Sequence, residues 1–173
     1  HGTATWTLEL RDPKAPLVLD VKALTITSVR AGGDVLCDVA ARREKVSDLL
    51  GDALTVPLAP GDSRVEIVYE TTDAGTGLLW LAPAQTAGKV HPYLFSQAQA
   101  IHARTFVPCQ DTPAVRTTFD ATLRVRAPLV ALMGAEALPP VADGASARRF
   151  GFRMRQPIPS YLIAFAVGDL AFR

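Results

Sequence analysis

The sequence predicts an all-β fold, antiparallel sheets packed as a β-sandwich. Three observations carry that expectation. Apolar and polar residues alternate with a period of two in one segment after another, as half-buried strands require. The segments are short and punctuated by 13 prolines and 12 glycines. No stretch repeats its apolar residues at the three-and-four spacing of a convincing amphipathic helix.

The elements follow in order. In Thr3–Leu10, Ala4, Trp6, Leu8 and Leu10 share one face and Thr3, Thr5, Thr7 and Glu9 the other. Leu17–Asp20 and Leu24–Val29 are short strands. The second runs into a Gly32-Gly33 turn from which Val35–Val39 returns, a hairpin. Lys45–Leu50 is the one place left for a helical turn. Leu54, Val56 and Leu58 alternate before Pro60-Gly61, and Val65, Ile67 and Tyr69 after it. In Val115–Arg126 the inward set is Val115, Thr117, Phe119, Ala121, Leu123 and Val125, opposite a wholly polar set. Ala135–Ser146 is expected to be a surface loop between two strands. Phe150, Phe152 and Met154 alternate against Arg149, Arg153 and Arg155, and Tyr161–Val167 is a continuous apolar run, expected as a strand covered on both faces. With no internal repeat or low-complexity linker, residues 1–173 are expected to form a single domain with Arg- and Thr-rich outer faces.

Composition narrows the function classes. A chain of 173 residues is long enough to bury about 70% of its unfolded surface, so a core needs no staples. Hydrophobic residues make up 49% and charged residues 20%, which excludes disorder as the main state. Lys and Arg total 18 against 17 Asp and Glu. That balance leaves no electrostatic footprint for nucleic acid or an acidic membrane, and neither is expected as a partner. No segment has the length and apolarity of a membrane-spanning helix. Cys37 and Cys109 make neither a disulfide framework nor a zinc-finger spacing, and they read as free buried thiols acting as small hydrophobes.

Chemistry concentrates in His91–Pro113, HPYLFSQAQAIHARTFVPCQDTP, where apolar residues interleave with neutral polar ones. No HExxH, GxSxG, Walker loop or GxGxxG is present, and the three histidines lack metal-ligand spacing. No catalytic residue and no metal ligand is therefore expected in this chain. Cys109 lacks a basic neighbour or helix N-terminus to activate it, and His102 reads as a hydrogen-bonded core residue. Arg104 and Asp111 flank a Phe-Val-Pro-Cys turn and suit a structural clasp. Gln97 and Gln99 lie two apart, so in an extended segment both face one side. Their amides would either serve a peptide or uncharged ligand or satisfy nearby main chain.

The motif HPYLFSQ-x-QAIH-x-R-x-x-x-PCQDTP resembles the N-terminal domain of the zinc aminopeptidases that include aminopeptidase N, aminopeptidase B and leukotriene A4 hydrolase. LVLDVKALTITSV near the start and QPIPSYLIAFAVGDLAFR at the end extend the resemblance over nearly the whole chain. The Gln-x-Gln-Ala form is similar to the leukotriene A4 hydrolase and aminopeptidase B branch. The resemblance implies a saddle-like β-sandwich preceding a thermolysin-like catalytic domain of the same polypeptide, its partner. Gln99 and Ala100 would then help hold the N-terminal end of a peptide substrate, and Gln97 would line the adjoining cleft. Arg104, Pro108, Cys109, Asp111 and Pro113 match the scaffold part of the motif. Zinc is implied in the parent enzyme, bound by the missing catalytic domain, and the isolated domain is expected to be inactive. The family's first strand also precedes this sequence, so an unpaired sheet edge is expected near Thr3–Leu10, with an apolar or neutral patch around Gln97–His102 where the partner domain would dock. The alternative is a free-standing β-sandwich adhesion or binding module without enzymatic activity, whose strand pattern would look the same. The cytoplasm is the expected compartment, with the periplasm as the alternative.

Overall fold

The computed structural model describes residues 1–171 apart from 11 and 13. Phe172 and Arg173, the end of the last matching stretch, lie outside the described residues. Antiparallel strands dominate, and the chain divides into two compact units, His1–Thr76 with Ile101–Asp111, and Gly77–Ala100 with Thr112–Arg173.

In the first unit, β1 (Gly2–Thr7), β2 (Leu17–Val21), β3 (Leu24–Gly32), β4 (Leu36–Asp38), β5 (Arg42–Ser47), β6 (Gly51–Val56) and β7 (Arg64–Thr71) make two sheets of order β1-β7-β3-β4 and β2-β6-β5. The alternating residues do as their period requires. Val65, Ile67 and Tyr69 of β7 join Leu24, Val29 and Ala31 of β3, Leu19 and Val21 of β2, and Leu54 and Val56 of β6 in one buried cluster. The β3–β4 hairpin forms, with Ala31 opposite Cys37. Among the described residues β1 pairs only with β7, so it is a sheet edge. It ends at Thr7, and Leu10 lies beyond it, 36% exposed. Lys45–Leu50 is not helical. Lys45–Ser47 belongs to β5, which pairs with β6, while Arg43 Nε reaches Asp52 at 2.5 Å. Cross-strand pairing here outweighs local helical preference.

In the second unit, β8 (Leu78–Leu81), β9 (Tyr93–Ser96), β11 (Val130–Met133) and β15 (Phe165–Gly168) form a sheet of order β11-β15-β9-β8. The long strands β10 (Arg116–Arg126) and β14 (Ala147–Pro159) form another, extended by β12 (Glu136–Ala137) and β13 (Val141–Ala142). The stretch expected as a plain loop, Ala135–Ser146, thus contributes two short strands that cover β14. Asp143 fixes them, accepting from Arg124 and from Arg149 at 3.1 Å. Hydrogen bonding to Arg124 above all holds the Asp143 carboxyl below its ordinary range. Val125, Phe150 and Phe152 pack with Ala131, Met133 and Val167, joining the inner faces of the two sheets.

The Tyr161–Val167 run is not one strand. Ser160–Leu162 is a 3-10 turn after Pro159, and pairing starts at Phe165. Leu162 is 49% exposed, so the apolar run is not covered on both faces throughout. Sheet register explains the remaining apolarity. Leu79, Phe95, Ala166 and Leu132 stand in one row across the four strands, and Leu81, Tyr93, Gly168 and Val130 in the next. Apart from Val130, which packs against the Val125, Phe150 and Phe152 cluster, both rows lie on the face opposite Ala131 and Val167. Gly168 lets the Tyr93 ring lie flat there, since a Cβ at 168 would sit 2.7 Å from that ring.

Candidate functional site

The segment singled out by sequence begins as a strand and leaves it at the glutamines. Leu78 pairs with Ser96, and Gln97 N–H then donates to Gly77 O at 2.9 Å, carrying the β8–β9 ladder one step further. Ala98 turns inward, 3% exposed, while Gln97, Gln99 and Ala100 turn outward. The Gln99–Ala100 peptide bond is cis. Gln97 Oε1 accepts the Gln99 backbone N–H at 3.1 Å. The two amides therefore differ. Gln97 spends its acceptor on shaping the turn, whereas the Gln99 side chain makes no hydrogen bond among the described residues. A side-chain amide presents an acceptor and two donors, and that of Gln99 is available in full.

The next eleven residues, Ile101–Asp111, belong to the first unit. Ala103–Thr105 is a 3-10 turn, and His102 O accepts from Thr105 N at 3.1 Å and Thr105 Oγ1 at 2.7 Å. His102 Nδ1 lies 2.7 Å from Thr76 Oγ1, so the ring is half-buried and engaged. Arg104, 3% exposed, organises the rest. Its Nε donates to Asp111 Oδ2 at 3.0 Å, its Nη2 to Asp111 O at 3.0 Å and its Nη1 to Leu50 O at 2.7 Å. Asp20 completes the arrangement, with Oδ1 3.4 Å from Arg104 Nη1 and Oδ2 accepting Asp111 N–H at 2.8 Å.

Main chain stitches the same loop to β2. Asp20 N–H donates to Cys109 O at 2.7 Å and Lys22 N–H to Arg104 O at 3.0 Å. Pro108 is fully buried, and its carbonyl accepts the Trp6 indole N–H at 3.1 Å. Arg104, Pro108, Cys109 and Asp111 are therefore brought together, while Pro113 is exposed in the other unit. Asp20, Leu50 and Trp6 belong to the same cluster. The signal for Asp20 was a lone carboxylate within the apolar run LVLDV, where a strand would bury it unless it were paired.

Burial, with Asp111 and Asp20 nearby, pushes the Cys109 thiol well above its ordinary value, so it is not a poised nucleophile. Cys37 is exposed rather than buried. Among the described residues, no three His, Cys, Asp or Glu side chains come together as a metal ion needs. These residues do not fit a zinc site, and no chemical step is assigned through a metal on this chain. An open groove of about 720 Å³ beside β3 is lined by Leu24, Ile26, Asp38, Ala41 and Arg43. A hollow of about 120 Å³ in the second unit is lined by Leu81, Thr86, His91, Tyr93 and Asp169. Neither gathers a set of catalytic groups. No helix among the described residues is long and apolar enough to cross a membrane.

Known proteins resemble this chain along nearly its whole length. The family described as the Peptidase M1 N-terminal domain matches residues 1–162. Leucine aminopeptidase 2 of Yarrowia lipolytica is 41% identical over 172 residues, which cover 98% of this chain and 25% of the relative. Leukotriene A-4 hydrolase of Xenopus laevis is 39% identical over 179 residues, covering 99% of the chain and 29% of the relative. Among solved structures, native leukotriene A4 hydrolase of Saccharomyces cerevisiae superposes with a TM-score of 0.81 at 33% identity, over 98% of this chain and 26% of that one. An M1 zinc metallopeptidase of Deinococcus radiodurans, bound to a Tyr-Ser-Ala substrate, shares the fold with a TM-score of 0.74 at 23% identity, over 99% of this chain and 38% of that one. The chain thus spans between a quarter and three tenths of the length of these two curated relatives.

Proposed function

The chain belongs to the Peptidase M1 N-terminal domain family, and on that premise we propose that it is the non-catalytic N-terminal domain of a zinc-dependent aminopeptidase, supplying Gln97, Gln99 and Ala100 to the substrate cleft. One observation carries the reading. Gln97 spends its oxygen on the turn, whereas the Gln99 amide beside it is exposed and uncommitted among the described residues. Its oxygen suits the N-terminal amine of a peptide and its N–H groups suit a main-chain carbonyl. Being neutral, it orients the peptide end without matching its charge. Carboxylates on the remainder of the polypeptide would do that.

Zinc belongs to that remainder, where it would activate water and polarise the first peptide carbonyl. A saddle-like β-sandwich comprising residues 1–173 as one domain is the arrangement we favour. In support, within each unit two antiparallel sheets share one apolar cluster. The partner is a thermolysin-like catalytic domain of the same polypeptide, and the compartment we propose is the cytoplasm.

The test is a peptidase assay of the full-length protein that carries this chain. Release of N-terminal residues from short peptides, abolished by a chelator and restored by zinc, is the expected result, with the 173-residue chain alone inactive. A full-length protein without such activity, or a chain that cleaves peptides by itself, would overturn the proposal.

A further inference from the structure

The chain as a whole nearly balances its charges, yet its two units do not. The first unit holds thirteen acidic residues to nine basic ones, and the second holds nine basic residues to four acidic. Six of those nine are arginines on one face of the β10–β14 sheet. Arg116, Arg124 and Arg126 stand outward on β10, with Thr118, Asp120 and Thr122 between them. Arg149, Arg153 and Arg155 share that face on β14. Their neutralisation is incomplete. Arg153 faces Asp120 on one side, at 2.9 Å, and Glu136 of β12 on the other. Arg124 and Arg149 stand directly opposite each other and share the single carboxylate of Asp143. Arg116, Arg126 and Arg155 are exposed, and none makes an ion pair among the described residues. Like charges placed opposite each other destabilise a sheet, and a face that serves solubility alone intersperses both signs.

We infer that this face binds an acidic segment of a separate partner polypeptide, extended along β10. Charge complementarity chooses the occupant, and the side chains narrow it. Guanidinium groups pair bidentately with carboxylates. Outward residues of a strand recur every ~7 Å, as alternate side chains do in any extended chain, so Arg124 and Arg126 match two carboxylates of an acidic segment laid alongside. No aromatic side chain stands on this face, so it lacks the stacking platforms that single-stranded nucleic acid uses. Asp120, Glu136 and Asp143 would also repel a continuous phosphate backbone, whereas a polypeptide of mixed charge tolerates them. Nor is the occupant the peptide that Gln99 would hold. The inner side of the β10–β14 sheet packs through Val125, Phe150 and Phe152 on the sheet that carries β9, so the arginine face looks away from the strand that leads to Gln99.

Fluorescence anisotropy of a labelled, N-acetylated decaglutamate mixed with the full-length protein tests this. The acetyl group removes the free amine that a site at Gln99 would need. Saturable binding at low salt, weakening as added salt screens it, is the expected result. Arg116→Gln, Arg126→Gln and Arg155→Gln together should weaken it about tenfold and leave the melting temperature unchanged, since all three side chains are exposed and unpaired. Lys14→Gln, Arg42→Gln and Arg64→Gln together, the same loss of charge from exposed positions of the first unit, should change it less than about twofold. No binding by the unsubstituted protein, or equal weakening by the two triple variants, would overturn the inference. So would tighter binding of an oligothymidylate of equal charge, which would assign the face to nucleic acid. Inhibition of the peptidase activity by decaglutamate in competition with a short peptide would also overturn it, placing the acidic chain in the substrate cleft.

Discussion

At the scale of single residues, one ion pair is held almost wholly away from water and the two thiols differ sharply in exposure. The Arg104 guanidinium and Asp111 carboxylate are almost wholly removed from water and satisfied on nearly every side. Breaking such a pair from one side strands the other charge, so Asp111→Ala should lower unfolding free energy by about 3–5 kcal/mol. Denaturant titration checks this, and a loss under about 1 kcal/mol would show that the loop is held by its main-chain bonds alone. The cysteines part in the same way. Cys37 should react at once with a thiol reagent and Cys109, 2% exposed, only on unfolding. Desolvation raises the Cys109 thiol and pushes the Tyr69 phenol up to about 12. Their unfolded counterparts release protons earlier, near 9.0 for the thiol and 10.0 for the phenol. The stability these groups lend is therefore complete below the ordinary thiol value and erodes as pH rises through the raised ones. A denaturation midpoint that falls above about pH 9 in the parent, and falls less in Cys109→Ala, is the expected result.

At the scale of elements, strands with one wet face were legible and strands with two apolar faces were not. The Val115–Arg126 and Phe150–Arg155 patterns announce β10 and β14, because one side of each meets water. Strands β8, β9 and β11 read as featureless apolar runs, LLWL, YLFS and VALM, whose register is set by partners far along the chain. Lys45–Ser47 misled for a related reason, since β5 is almost entirely exposed and carries no alternation to read. The turn after it depends on Gly51, at φ +78, where a Cβ would stand 2.6 Å from Val21 O. Gly51→Ala should therefore lower the melting temperature by several degrees, about 1–3 kcal/mol from strain and crowding together. A neutral outcome would mean that the β5–β6 turn relaxes freely.

At the scale of the whole molecule, the sequence motif marked the candidate segment but not the distant contacts that hold it. Arg104 and Asp111 could be paired from the motif, yet Asp20, Leu50 and Trp6 join them only through contacts that span 54 to 102 residues. Gln97 and Gln99 looked equivalent at a spacing of two. They separate once the Gln97 oxygen is seen to bond the Gln99 N–H. That leaves Gln99 as the residue through which this chain would act on a substrate held mostly by the rest of the protein. The most direct measurement is steady-state kinetics of Gln99→Ala in the full-length protein, with zinc content and melting temperature measured alongside. A fall of about tenfold or more in kcat/KM, with zinc content and stability intact, is the predicted result. Unchanged kinetics would contradict the account and return Gln99 to the surface.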